Sequence, residues 1–178
     1  MANYQLRFSG TGGQGIMMIG DLMAYYYGLI EDKQIVLLKS YGPEARGGAC
    51  RSELIVDENE CYPAITRVDF LLAMSQQAYD LYTEDADEKT LILIDEELVR
   101  KTDDHFPMTL RLPLTEIAKQ KTGRIVCANI VALGAMTRLL NIDHDAMLKV
   151  LKEKLPQKIL DINLIAYEEG YRALGEAE

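Results

Sequence analysis

Residues 10–15 read Gly-Thr-Gly-Gly-Gln-Gly and stand between a short, partly alternating segment at 4–9 and a long apolar one at 16–30. That order, strand then glycines then helix, narrows the choice of folds more than any other feature of the chain. Glycines there permit a tight strand-to-helix turn and close approach of another molecule to the backbone. The helix start beyond them offers free N–H groups and a partial positive charge to an anion. The spacing is that of a dinucleotide-binding loop, which also needs an acidic residue at the end of the second strand. Here the second strand ends Leu37-Leu38-Lys39-Ser40, with a lysine where an NAD ribose needs a carboxylate. Three readings stay open at this point: a dinucleotide site tolerant of a 2′-phosphate, a strand–helix junction without ligand, and contact with an anionic cofactor or a partner's active site.

The rest of the chain alternates in the same way. Strands are expected at 34–39, 51–56, 68–74, 90–95, 108–112 and 124–127, the first of them fully buried. Helices are expected at 75–82, 114–121, 129–140, from Asp143 onward, and from about Pro156 to 174. The implied fold is a single three-layer α/β/α domain over 1–178, with a largely parallel or mixed sheet and a Rossmann-like glycine loop after its first strand. A length of 178 residues suits one domain.

Composition removes several kinds of chemistry. The net charge of −9 argues against a nucleic-acid-binding surface. Three separated cysteines and two histidines do not make an iron–sulfur or structural zinc site in this chain alone. Cys50, Cys61 and Cys127 read as reduced, packed thiols, of which Cys50 merits a modification test. The start lacks a signal-peptide pattern and no segment is long enough to span a membrane, so a cytoplasmic protein is expected. Met17, Met18, Met23 and Tyr25–Tyr27 read as packing residues of the first helix.

A second special loop follows the second strand: Ser40-Tyr41-Gly42-Pro43-Glu44-Ala45-Arg46-Gly47-Gly48. In a parallel sheet it faces the first glycine loop from an adjacent strand. The pair, with Tyr62-Pro63, AMSQQAYD at 73–80 and ANIVALGA at 128–135, resembles the gamma subunit of the 2-oxoacid:ferredoxin oxidoreductases over nearly the whole chain. The form SYGPEARGGA is closer to the 2-oxoglutarate and branched-chain types than to the pyruvate type. The small (beta) subunit of indolepyruvate oxidoreductase is a competitor, and a free-standing nucleotide-binding regulatory domain is another.

The resemblance implies oxidative decarboxylation of a 2-oxoacid with coenzyme A, yielding acyl-CoA and CO2 while ferredoxin is reduced. It implies that thiamine diphosphate, Mg2+ and an iron–sulfur cluster sit on alpha, beta or delta subunits. This chain is then inactive alone, holds no catalytic or metal-binding residue, and lines the coenzyme A side of the active site. Gly10, Thr11, Gly12, Gly13 and Gly15 would present backbone, and Gln14 would bond across the interface. Ser40, Tyr41, Gly42, Gly47 and Gly48 would flank Arg46, an oxyanion ligand by its planar fork, with Glu44 as its counter-charge. Ser75 and Asn129 each follow an expected strand and would cap a helix on the same rim.

Overall fold

The structure, a computed structural model, describes residues 4–42, 48–58 and 64–175. Two compact units divide the chain at Leu112/Pro113. The first carries all six strands: β1 (Tyr4–Thr11), β2 (Gln34–Tyr41), β3 (Ala49–Asp57), β4 (Phe70–Ala73), β5 (Leu91–Asp95) and β6 (Thr109–Leu112). Helix α1 (Ile16–Tyr25) follows β1 and ends in a π-helical turn, Tyr26–Ile30; α2 (Gln76–Tyr82) follows β4.

The sheet is mixed, in the order β2-β3-β1-β4-β5-β6. β1, β4, β5 and β6 are mutually parallel, while β3 runs antiparallel to both β1 and β2. Two expectations about neighbours change as a result. β2 does not lie beside β1, because β3 is inserted between them. The apolar run in β2 is only half-buried, since it forms the sheet edge, whereas β3 is buried on both faces. The polar residues Ser52 and Glu53 of β3 are buried with the rest of that strand.

Arg7 and Glu53 face one another in the β1–β3 ladder. Arg7 Nε donates to Glu53 Oε1 at 2.8 Å, and its terminal nitrogens donate to the Tyr82 carbonyl at 3.0 Å and Asp85 at 2.8 Å. A buried charge is tolerable only when so paired and bonded. On the opposite sheet face Leu6, Phe8 and Leu54 pack in the core with Ile16, Ile19 and Met23 of α1. Helix and strand approach so closely that a methyl group at Gly20 would collide with Ser52 Oγ. Met23, Tyr26 and Tyr27 are buried, and Met17, Met18 and Tyr25 half-buried.

The second unit is helical: α3 (Leu114–Thr122), a 3₁₀ turn (Ile125–Cys127), α4 (Ala128–Leu139), α5 (His144–Lys154) and α6 (Gln157–Arg172). The strand expected at 124–127 is absent. Gly123, at φ 70°, closes α3, and the Thr122 hydroxyl accepts from Arg124 N–H, so this short link has no length left to pair with a sheet. Its Ile125 and Val126 are 63% and 60% exposed. Asp143 caps α5 as expected, accepting from Ala146 N–H at 2.7 Å. Helices α4 and α6 cross at two glycines. A methyl group at Gly134 would strike the Tyr167 carbonyl, and one at Gly170 the Val131 carbonyl.

Candidate functional site

The first glycine loop is held from within. Gln14 Oε1 accepts from Thr11 N–H at 2.7 Å, and Gln14 Nε2 donates to the Met74 carbonyl at 2.8 Å. Gln14 N–H closes a turn on the Thr11 carbonyl at 3.1 Å. Gly13 and Gly15 adopt φ 98° and 76°, a region that favours glycine, and Gly15 caps α1. Gly10 is buried, and a side chain there would press on Gln14 Oε1 and Ile16. Gly12 and Gly13 are exposed, so their backbone is open to close approach by another molecule.

The β1–β3 ladder brings the second loop to this rim. Gly10 pairs with Cys50 and Thr11 with Ala49, while Tyr41 of β2 pairs with Cys50 from the other side. One further bond joins the loops: Gly12 N–H donates to the Gly48 carbonyl at 3.2 Å. Gly42 has no room for a side chain, which would meet the Ala49 carbonyl. Ser40 and Tyr41 are exposed, Tyr41 at 72%. Glu44, Arg46 and Gly47, and in the following segment Cys61, Tyr62 and Pro63, lie outside the described residues.

Ser75 stands on the same rim, because β4 is parallel to β1 and Met74 N–H donates to the Ser9 carbonyl. Its hydroxyl accepts from Ala78 N–H at 3.2 Å, capping α2. Asn129 differs from expectation. It lies inside the first turn of α4, buried, after a 3₁₀ turn rather than a strand; Cys127 holds the cap position.

Arg51, near the rim, carried no functional weight in the sequence, and Cys50 only that of a thiol to test for modification. Arg51 pairs with Ser9 and Ser40 in the ladders, lies 5.2 Å over the Tyr82 ring and is 3.3 Å from Glu53. The signal was a charged pair inside an alternating run. Cys50 sits between the two loops, and burial pushes its thiol up, against thiolate formation.

The geometry also argues against the dinucleotide reading of the glycine loop. Lys39 is paired with Asp21 of α1 at 2.6 Å. A dinucleotide fold puts the end of its second strand next to its first; here an antiparallel strand intervenes. Among the described residues no three His, Cys, Asp or Glu side chains converge as a metal requires. No described helix is long and apolar enough to cross a membrane.

Comparison with known proteins agrees with this architecture. The chain is 40% identical over 178 residues to the 2-oxoglutarate synthase subunit KorC of Methanocaldococcus jannaschii, covering 97% of this chain and 94% of that one. It is 24% identical to the indolepyruvate oxidoreductase subunit IorB of Methanothermobacter thermautotrophicus, over 98% of this chain and all of that one. The crystal structure of the keto/oxoacid ferredoxin oxidoreductase gamma subunit from Geobacter sulfurreducens superposes with a TM-score of 0.86 at 37% identity, covering 97% of each chain. The family model for pyruvate ferredoxin/flavodoxin oxidoreductase matches residues 5–173, and the chain belongs to that family.

Proposed function

We propose that this chain is the gamma subunit of a 2-oxoglutarate:ferredoxin oxidoreductase and forms part of the coenzyme A approach to its active site. The reaction converts 2-oxoglutarate and coenzyme A to succinyl-CoA and CO2, with the electron pair passed to ferredoxin. The observation that carries the role is the Gly12–Gly48 bond, which ties the exposed first glycine loop to the last residue of the second. The 40% identity to a KorC subunit supports 2-oxoglutarate over indolepyruvate, for which the relative is 24% identical.

Thiamine diphosphate with Mg2+ would supply the decarboxylation and an iron–sulfur cluster the electron path. The family resemblance assigns these groups to alpha, beta or delta subunits. This chain's own part is to shape and bind. Gly12 and Gly13 offer bare backbone, Gln14 holds that backbone rigid, and Ser75 fixes the neighbouring helix start. Arg46, with Glu44 beside it in sequence, is the proposed oxyanion ligand for coenzyme A. The family match spans both units, which supports reading 1–178 as one domain. Use of ferredoxin and coenzyme A implies a cytoplasmic enzyme.

Purification from the source cell tests the assembly. Co-elution with larger subunits that carry thiamine diphosphate and iron–sulfur absorbance, and that oxidise 2-oxoglutarate, is expected. A stable monomer that binds NADP tightly overturns the reading. In the assembled enzyme Arg46→Ala is expected to raise the KM for coenzyme A about tenfold or more, the loss of one charge-assisted bond, with thiamine content unchanged. Unaltered kinetics and assembly remove Arg46 from the site.

A further inference from the structure

The sheet ends in β6 on one side and β2 on the other, and the two edges are built differently. β6 is four residues long, and its Arg111 is tied to the preceding loop at the Val99 carbonyl and the Thr102 hydroxyl. β2 is eight residues long, and its ladder with β3 runs without a bulge from Gln34↔Asp57 to Tyr41↔Cys50. Its middle, Ile35-Val36-Leu37-Leu38, holds neither charge nor proline. A sheet edge is ordinarily blunted by a lysine, a proline, a bulge or short length, because its free N–H and C=O groups accept another strand. Lys39 is the one charge of β2, and it is turned onto Asp21 of α1 at 2.6 Å. Among the described residues no other strand pairs with the outer side of β2.

Exposed apolar side chains stand at both ends of this edge. Leu37 lies beside Gly20 of α1, and Ile35 beside Gly28 of the π-helical turn, so the odd-numbered residues of β2 share the helix face. Alternation places Tyr41, 72% exposed, on that face at the end of the strand. At the start of the strand the π-helical turn carries Leu29, 69% exposed, and Ile30, 44% exposed. Within one chain the length of β2 separates Tyr41 from Leu29. Antiparallel pairing of two β2 strands brings the end of one to the start of the other, so a second copy supplies cover at both ends at once.

The register of such a pair follows from backbone geometry. Outward N–H and C=O groups belong to every second residue, so residues of like parity face one another and a two-fold axis passes through a residue. Axes at Val36 and at Leu37 set the apolar run most fully against itself. The Val36 axis also places Lys33 opposite Lys39, a like-charge pair. The Leu37 axis places Lys39 opposite Ile35 and Lys33 opposite Tyr41, and keeps the lysines apart.

We propose that β2 is a dimerisation edge. It pairs antiparallel with β2 of a second copy of this chain about a two-fold axis at Leu37, and Tyr41 of each copy covers Leu29 and Ile30 of the other. The proposal does not depend on the role assigned to the glycine loops, which is read from coenzyme A kinetics rather than from association.

Sedimentation velocity of the full-length chain from about 1 to about 100 μM tests it, a range suited to an interface near or below the roughly 1,200 Å² of standard complexes. A reversible dimer is expected. Leu29→Asp is expected to weaken it about tenfold or more, by placing a charge where Tyr41 of the other copy would bury it. Leu37→Cys is expected to form a disulfide-linked dimer on mild oxidation, because a residue on the axis meets its own copy at about 4.5–5.5 Å between Cα atoms, within disulfide reach. Ile35→Cys, which faces Lys39 in this register, and the wild-type chain are expected to stay unlinked. Circular dichroism checks that the variants stay folded. A monomer throughout the range, a dimer indifferent to Leu29→Asp, or linkage of Ile35→Cys as readily as Leu37→Cys overturns the proposal. So does an assembled enzyme with a single copy of this chain whose β2 amides resist hydrogen exchange, since another subunit then covers the edge.

Discussion

Gln14 shows how far a single residue's type is from its role. Within a glycine-rich loop a carboxamide reads as a group offered to a partner. In the folded chain both ends of that amide are used internally, on Thr11 N–H and the Met74 carbonyl. The oxygen accepts and the nitrogen donates, so neither a carboxylate nor a methyl group replaces it. Gln14→Ala is expected to lower stability by about 1–3 kcal/mol, the cost of leaving buried partners unpaired. Gln14→Glu keeps the acceptor for Thr11 but faces a carboxylate toward the Met74 carbonyl, and is expected to be no better. Urea denaturation of the two variants checks this, and wild-type midpoints for both would show that the clamp does not support the loop. Arg51 makes the complementary point: its place beside Tyr82 and Glu53 depends on β-ladder register, which no local pattern reveals.

At the scale of elements, the insertion of β3 between β1 and β2 has the largest consequence. It separates the chain from a dinucleotide fold, yet it keeps both glycine loops on one rim because antiparallel pairing returns the start of β3 to the end of β1. In the second unit the α4–α6 crossing plays a similar organising part. Gly134→Ala is expected to cost about 3 kcal/mol or more, since the added methyl group meets backbone that cannot turn aside. Gly123→Ala is the contrasting case. Its surroundings are open and only its positive φ is strained, so about 1 kcal/mol is expected. Denaturation midpoints of the pair distinguish the two causes, and equal losses would mean that the crossing is not tightly packed. The strand and helix segments themselves were mostly legible from periodicity. The exception, 124–127, fails because a β-branched pair between two helices has the composition of a strand but no neighbour to bond.

For the molecule as a whole, burial sets the response to alkali. Burial is the leading cause that pushes the Tyr27 and Tyr167 hydroxyls well above the usual 10.0. Above that value the unfolded chain releases protons that the folded chain retains, so the unfolded state binds fewer protons and stability falls as pH rises. Stability from these groups is full below about pH 10 and is lost progressively above it. Denaturation midpoints measured from about pH 8 to about pH 11 are expected to decline, and less steeply in Tyr27→Phe or Tyr167→Phe. A flat profile would mean that neither hydroxyl is held protonated by the fold.

The sequence by itself determined the local order of strands, turns and helices, the two glycine loops and their spacing, and through them the family resemblance. These depend on neighbours in the chain: apolar period, caps, and glycines where φ must be positive. Only the tertiary structure decided that β2 is an edge, that Gln14 is an internal clamp and that Asn129 is not a cap. Each of those depends on partners distant in sequence, brought together by ladder register and helix packing, and burial alone then decides which polar groups are spent inside the fold and which face outward.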